Sequence, residues 1–192
     1  MKRSHQNLVS KPLQIILVIS IFFAFLTFNV KQAFASEITS ENLQYLINKE
    51  RIYYGLSPLK VDLDLEVAAK NKSRDMSNRK YFEHYAYNLT PWDFIKNAGY
   101  NYLYAGENLA MDFKTSEGMV SAWMNSPLHR RNILSEDYED LGFGVVKGMQ
   151  YESGQVKETT IVTNMFGRKK PAIIELFNKI VTNLHYLFST YD

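Results

Sequence analysis

The chain has 192 residues, of which 46% are hydrophobic, enough to form one folded domain with an apolar core. It contains no cysteine, which excludes disulfides and thiol chemistry. Its net charge of +2 comes from the N-terminus, where Lys2, Arg3, Lys11 and Lys31 are four of the 22 basic residues and no acid occurs before residue 36. The remaining 18 basic and 20 acidic residues give −2, without the basic excess of a nucleic-acid-binding protein.

Residues 1–35 are predicted to be a secretory signal peptide. A basic start precedes an apolar run at 13–30, and the small residues around Ala33 and Ala35 suit cleavage after Ala35. An uncleaved membrane anchor is the alternative, because the apolar run approaches the length that spans a bilayer. The protein is therefore predicted to be secreted, either extracellular or associated with the cell envelope.

Two helices are predicted next. The first covers 39–55, with Thr39 or Ser40 as its cap and Gly55 at its end. The second begins after Asp62 and runs to about Arg79. Its buried stripe is predicted to be Leu65, Ala68, Ala69 and Met76, and its water-facing basic residues Lys70, Lys72 and Arg74.

The middle of the chain is predicted to hold two turns and a short helix. The stretch "KYFEHYAYNLT" is irregular and places His84 in a loop. Thr90 and Pro91 open a short helix that Gly99 closes. In "YNYLYAGENLAMDF" the single Gly106 favours a sharp turn just before Glu107.

A further pair of helices follows, and the second presents a histidine. The first starts near Thr115 and buries Met119, Val120 and Trp123. In "SPLHRRNIL", Ser126 is predicted as the cap and Pro127 as the first helical residue. His129 then lies at the positive end of the helix dipole, which favours the neutral imidazole.

The fold class is predicted as α+β. "LGFGVVK" and "TTIVTNMF" indicate two antiparallel strands joined by a loop that contains Gly148 and Gly154. Helices come first and strands late, without regular alternation, which indicates helices packed on an antiparallel sheet.

Residues 168–192 are predicted to form an amphipathic helical extension after "RKKP". Its apolar face would pack on the domain, or alternatively contact a membrane surface or a protein partner through residues 171–188. The apolar face comprises Ile173, Phe177, Ile180, Val181, Leu184, Leu187 and Phe188, and the polar face Glu175, Asn178, Lys179, Asn183 and His185.

Three residues remain as candidates for chemistry: His84, Glu107 and His129. The chain has no glycine-rich phosphate loop, Gly-x-Ser-x-Gly turn, His-Glu-x-x-His helix or calcium loop. Each candidate also has an ordinary structural explanation, and spacing alone does not bring the three together.

Four ordered motifs, "YFEH", "AGENLA", "AWMNSPLHRRNIL" and "LGFGVV", resemble the bacterial branch of the CAP superfamily, the SCP-like extracellular proteins. The resemblance covers about residues 38–167, so that 36–167 is predicted as the domain. It implies an α-β-α sandwich with a small antiparallel sheet and an open cleft.

The resemblance also implies a cleft lined by two histidines and two acids that binds a divalent cation in some members. His84 and His129 match the histidines and Glu107 the first acid, so these three are the predicted cleft and metal ligands, for Zn²⁺ or Mg²⁺. The second acid is missing, because Ser126 stands three residues after Trp123. Acids that could replace it are Glu117, Glu136 and Asp137.

The functional hypothesis is a secreted protein that binds a cell-envelope component, a lipid or a protein through this cleft, with a cation in a supporting role. A metal-dependent peptide or ester hydrolase is the alternative, although the missing acid removes a natural general base. A structural envelope protein is a third hypothesis. Whether the protein is an enzyme stays open at this stage, and no nucleic-acid partner is predicted.

Overall fold

A computed structural model describes residues 20, 36–152, 155–173, 176, 177, 180–182 and 184. From Glu37 onward they belong to one compact unit. The predicted signal peptide lies almost wholly outside the described residues. In chain order the elements are α1 (Ser40–Tyr53), β1 (Lys60–Val61), α2 (Leu63–Arg79), α3 (Pro91–Asn97), β2 (Tyr102–Met111), α4 (Ser116–Asn125), α5 (Pro127–Ile133), β3 (Asp140–Glu152) and β4 (Gln155–Lys169).

The strands form a mixed four-stranded sheet in the order β1-β3-β4-β2. The two residues of β1 pair in parallel with β3, whereas β3–β4 and β4–β2 are antiparallel. The predicted α+β class is therefore confirmed. Strand β2 stands at one edge of this sheet, and its residue Glu107 is paired with Met165 of β4.

One face of the sheet packs against α1, α4 and α5. Side chains on a strand alternate between faces, so the even-numbered Val162 and Phe166 of β4 point toward these helices. They join a buried cluster that also contains Leu43, Ile47, Met119, Val120, Trp123, Ile133, Leu141 and Phe143. Trp123 additionally donates its indole N–H to the carbonyl of Leu109, which anchors α4 to the edge strand.

The opposite face packs against α2 and α3, through buried Leu65, Ala68, Ala69, Ile95, Tyr100 and Met165. Here the glycines of "LGFGVV" have a packing role. A Cβ on Gly142 would collide with the backbone of Leu65 and Glu66, and one on Gly144 with the backbone of Ala69 and Lys70. Helix α2 therefore approaches the backbone of β3 more closely than larger side chains would allow.

The prediction that Lys72 faces water is wrong. Lys72 is fully buried, along with Leu65, Ala69 and Met76 of the same stripe. Residues 65, 69, 72 and 76 follow helical spacing, so position places Lys72 inward although its charge suggests the opposite. The exposure of Lys70 and Arg74 agrees with the prediction.

The turn predicted at Gly106 is also wrong, because the backbone runs straight through β2. Glycine is needed at this position for space: a Cβ would collide with the ring of Tyr138. Tyr138 packs in parallel with Phe166 and donates its hydroxyl to the carbonyl of Ala105. The need for glycine at position 106 is therefore explained by contact with the ring of Tyr138, which the residues around position 106 do not reveal.

The two predicted strands extend further than their apolar cores. Polar residues continue the β3–β4 ladder as far as Glu152 and Gln155, and Gly148 lies within β3 rather than in the loop. Strand β4 continues through Lys169, where its ammonium pairs with Asp62 at 2.7 Å. The next backbone N–H, of Lys170, donates to the carbonyl of Asn101.

The described positions of the extension after Pro171 are helical, and their apolar side chains are exposed rather than buried against the domain as expected. Its described apolar side chains are 47–69% exposed: Ile173, Leu176, Phe177, Ile180, Val181 and Leu184. Leu187, Phe188 and the whole predicted polar face lie outside the described residues. No helix among the residues described is long and apolar enough to cross a membrane.

A buried arginine joins the end of α1 to the end of α5. Arg51 is only 2% exposed. Its guanidinium donates to three carbonyl oxygens: Nε to Ser57 at 2.8 Å, and Nη1 to Ile133 and Ser135 at 2.8 and 2.7 Å. One side chain thereby connects segments more than 80 positions apart in the chain.

Candidate functional site

Glu107 is a buried acid in the middle of β2. Alternation places its side chain on the same face of the sheet as Leu109, which packs with Met76 of α2. The residue is 6% exposed, and its side chain only 2%. A carboxylate in such surroundings requires partners that offset the loss of water.

His84 supplies one of those partners from the loop between α2 and α3. Helix α2 ends at Lys80, whose left-handed backbone turns the chain away. Further on, Ala86 and Leu89 bridge a tight turn in which Tyr87 and Asn88 are left-handed. Between these features the His84 ring, 47% exposed, places Nδ1 2.6 Å from Oε1 of Glu107.

His129 comes from the first turn of α5. Pro127 occupies the first helical position as predicted, but the Ser126 side chain makes no capping hydrogen bond. The backbone carbonyl of His129 accepts a hydrogen bond from Asn108 Nδ2 at 3.1 Å. This contact ties the histidine helix to the residue that follows Glu107.

Asn132 completes the connection between α5 and β2. Its Nδ2 donates to the backbone carbonyl of Glu107 at 3.0 Å and to Oδ1 of Asn108 at 2.8 Å. Two amide side chains therefore fix the backbone on which Glu107 and His129 stand. Asn108 is fully buried, which is consistent with a positioning role rather than contact with a ligand.

The electrostatics of the three residues are linked. Burial raises the pKa of Glu107, while the hydrogen bond from His84 and the charges of Lys72 and His84 oppose that rise. Burial lowers the pKa of His129, and the neighbouring charge of His84 lowers it further. His129 is therefore biased toward the neutral imidazole, the form that accepts a proton or binds a metal.

Lys72 is the residue that sequence reasoning missed. Its ammonium donates to the backbone carbonyls of Glu83 and His84 at 2.9 and 3.0 Å and to the Tyr81 hydroxyl at 3.3 Å. Burial lowers the pKa of Lys72, whereas the charge of Glu107 and then those of Asp75 and Glu83 raise it. Its position in the stripe of α2 was the signal that could have revealed it.

The structure thus brings His84 and Glu107 into direct contact. His129 is connected to them through the hydrogen bonds of Asn108 and Asn132, and the charge of His84 lowers the pKa of His129. Oε2 of Glu107 is buried and has no hydrogen-bond partner among the described residues. No group of three His, Asp or Glu side chains in that part of the chain is arranged to hold a metal ion. Of the candidate replacement acids, Glu136 and Asp137 are exposed, and Glu117 lies in the first turn of α4.

The acids at positions 139 and 140 and the arginine at position 130 contact different partners. Glu139 pairs with Arg168 at 3.0 Å, and Asp140 accepts the hydroxyl of Tyr100 at 2.7 Å. The guanidinium of Arg130 instead lies over the Tyr54 ring, 5.0 Å from its centre.

Comparison with known proteins now identifies the family. The sequence profile of the cysteine-rich secretory protein family, CAP, matches residues 44–165, which include all three candidate residues. The chain belongs to the CAP family. The resemblance found in the sequence motifs is thereby confirmed.

Two Bacillus subtilis proteins are similar to this CAP chain. One is the uncharacterized protein YkwD, 43% identical over 112 residues, covering 58% of this chain and 42% of the relative. The other is the uncharacterized membrane protein YlbC, 33% identical over 101 residues, covering 52% and 29%. The chain therefore spans less than half the length of either relative.

Solved structures share the fold. An extracellular protein of Bacillus anthracis that contains an SCP domain superposes with a TM-score of 0.58 at 28% identity, covering 68% of this CAP chain and 40% of that protein. An outer surface protein of Borrelia burgdorferi has a TM-score of 0.58 at 24% identity, covering 71% and 99%. The second likeness shows the fold alone.

Proposed function

We propose that this protein is an extracellular or envelope-associated CAP protein that binds a ligand at His84, Glu107 and His129, with a divalent cation in a supporting role. The observation that carries the proposal is the 2.6 Å contact between Nδ1 of His84 and Oε1 of a buried Glu107. A buried carboxylate that holds a half-exposed imidazole is an arrangement that orients the ring toward a ligand.

The hydrogen bond determines which nitrogen of His84 is available. With Glu107 ionised, its carboxylate only accepts, so Nδ1 of His84 would carry the proton and the lone pair would remain on Nε2. Metal-binding histidines commonly donate their other ring N–H to a carboxylate in this way. Glu107 would then orient His84, and its unpartnered Oε2 is a further acceptor for a cation or an N–H donor.

The donor set fits Zn²⁺ better than Mg²⁺. Two imidazole nitrogens, from His84 and from a His129 biased toward neutrality, suit zinc, while magnesium prefers oxygen ligands. A bound zinc ion would supply Lewis acidity. With Ser126 in place of the second acid, no carboxylate at that position serves as a base, so binding is favoured over hydrolysis.

Isothermal titration of the purified protein with zinc and magnesium salts tests the cation site. We expect saturable one-site zinc binding that His84→Ala and His129→Ala each abolish, and that Glu107→Gln weakens by about 10–100-fold. His185→Ala, which changes a histidine of the extension, is the matched control and should bind as the unaltered protein does. Lack of zinc binding in the folded protein would contradict the cation site.

A panel of peptide and ester substrates distinguishes the binding protein from the hydrolase. The binding hypothesis predicts no turnover above that of the double variant His84→Ala/His129→Ala. Turnover that either histidine substitution removes would establish the hydrolase instead. A structural envelope protein would show neither turnover nor a ligand at this site.

We also propose a second contact surface on residues 171–188, for the cell membrane surface or a protein partner. The supporting observation is the exposure of Ile173, Leu176 and Phe177, all above 50%, in a segment expected to bury an apolar face. Such a stripe on an amphipathic helix gains free energy when an apolar phase covers it.

A further inference from the structure

The loop that carries His84 is anchored by a buried lysine of helix α2. Lys72 is fully buried, and its ammonium has three N–H donors. Three acceptors from one short segment surround it: the hydroxyl of Tyr81 and the carbonyls of Glu83 and His84. The number of donors matches the number of acceptors, so each N–H of the ammonium has a partner in the loop.

We propose that Lys72 is a positioning residue for the candidate site, which holds the His84 loop so that the imidazole meets Glu107. The inference rests on the proposed function in that the same His84–Glu107 pair forms the ligand site. Lys72 acts through the backbone: its ammonium binds the carbonyl of the residue whose ring contacts Glu107.

The surroundings of the ammonium are specific for a compact cation on a flexible stem. Its nitrogen lies over the rings of Tyr81 and Phe94, 5.0 and 5.4 Å from their centres. An apolar residue here would remove the donor that the carbonyls of Glu83 and His84 share, and with it the contact between the loop and α2. Arginine would need space for a planar guanidinium that this enclosed position does not offer.

A second hydrogen bond in the same network also attaches the loop to α2. The Tyr81 hydroxyl, which accepts from Lys72, donates to Oδ2 of Asp75 at 2.6 Å. Asp75 is in turn paired with Arg79 at 3.0 Å. The loop is therefore bound to α2 at Tyr81, Glu83 and His84, and the contacts at 83 and 84 both come from Lys72.

Nitrogen NMR of the histidine rings tests this role without requiring a ligand. In protein labelled with ¹⁵N-histidine, at about pH 8 and above the ordinary histidine pKa near 6.5, the ring shifts report which nitrogen carries the proton. We expect His84, assigned with His84→Gln, to be protonated on Nδ1 in the unaltered protein and in the control Lys70→Met, an exposed lysine of the same helix.

Lys72→Met keeps the length of the side chain and removes the ammonium. We expect it to shift His84 to the Nε2-protonated form, while circular dichroism and the His129 signals stay unchanged. A folded Lys72→Met protein that retains the Nδ1 proton on His84 would overturn the positioning role. If instead the unaltered protein lacks that proton, Glu107 does not hold His84 as an ionised acceptor, and the proposed function loses its support.

A measurement on the unaltered protein decides the matter if Lys72→Met does not fold. With ¹⁵N-lysine labelling, the Lys72 ammonium protons should exchange slowly with water and show couplings across hydrogen bonds to the carbonyl carbons of Glu83 and His84. Ammonium protons on Lys72 that exchange as fast as those of exposed Lys70 would overturn the proposal.

Discussion

At the scale of single residues, the candidate site depends on side chains that hold backbone. Asn108 and Asn132 donate to the carbonyls of His129 and Glu107, and Lys72 donates to that of His84. Each of the three candidate residues therefore has its own main chain fixed by a polar side chain from elsewhere. Such support limits movement of the backbone that carries the three side chains and so reduces the entropy that a ligand would have to remove.

His129 is predicted to make stability fall on acidification. Burial holds its pKa in the fold below the unfolded value near 6.5, so just below that pH the unfolded chain binds more protons. Stability is therefore fully present above about pH 6.5 and decreases as the pH falls toward the folded pKa. Urea unfolding in the presence of a chelator, between about pH 7.5 and 5, measures the effect.

His129→Gln is the comparison that isolates this contribution, because the backbone carbonyl bound by Asn108 remains. We expect the free energy of unfolding of the unaltered protein to fall more steeply with acidification than that of the variant. Parallel pH profiles would contradict the assignment of a lowered pKa to His129.

The three residues of the candidate site were selected from motifs, whereas the side chains that position them were not. His84, Glu107 and His129 lie in three segments whose meeting depends on the topology of β2 and α5, and the family resemblance supplied that information. Lys72 was missed because charge was given more weight than its place on the stripe of α2. Its place on the stripe indicated burial, but the three acceptors that offset the burial of its charge lie in the loop after α2, whose path the sequence does not reveal.

At the scale of elements, α2 packs so closely against β3 that position 144 has no space for a larger side chain. Gly144→Ala places a methyl group against the backbone of Ala69 and Lys70, so helix or strand must shift. We expect the variant to be less stable by about 1–3 kcal/mol in urea unfolding. Ser121→Ala, at an exposed position of α4, is the control and should change stability by no more than about 0.5 kcal/mol. An unchanged Gly144→Ala protein would show that the helix does not press on the strand.

The C-terminal extension is predicted to bind membrane surfaces. Truncation should come after Lys170, because β4 continues to Lys169 and the N–H of Lys170 binds the carbonyl of Asn101. In sedimentation with anionic phospholipid vesicles, we expect the full chain to bind and the truncated chain to stay in solution with an unchanged circular dichroism spectrum.

A point variant refines this test. Phe177→Asp places a charge in the exposed stripe and should weaken vesicle binding, while Lys70→Asp, a charge change elsewhere on the surface, should leave most of it. Equal binding by full and truncated chains would contradict a membrane role for the extension. No binding by the full chain would leave a protein partner as the proposal for this surface.

Elements were predicted well where apolar spacing was regular, as in α1, α2 and α4. They were predicted poorly where a residue type was interpreted without knowledge of the side chains that contact it in the folded protein. Gly106 suggested a turn, but the ring of Tyr138 occupies the space beside it. The ends of β3 and β4 contain residues such as Gln150 and Lys157, whose pairing depends on the backbone ladder rather than on burial.

At the scale of the whole molecule, the predicted signal peptide, residues 1–35, would determine both the net charge of the mature chain and its location. We predict that mass spectrometry of protein recovered from the culture medium or envelope of producing cells will find a chain that begins at Ser36. Ala35→Leu, which alters the predicted cleavage position, should retain the signal peptide, while Lys31→Arg should not change processing. An exported protein that still contains residues 1–35 would support the uncleaved anchor instead.

The guanidinium of Arg51 gives the domain a cross-link that contains no sulfur. It donates hydrogen bonds to the carbonyls of Ser57, Ile133 and Ser135, and so connects two segments that are distant in sequence. In many exported domains a disulfide makes such a connection. The link forms as soon as the chain folds, without an oxidant or an isomerase, and thiol reagents do not cut it. Reducing surroundings, which break disulfides, would therefore leave this connection intact.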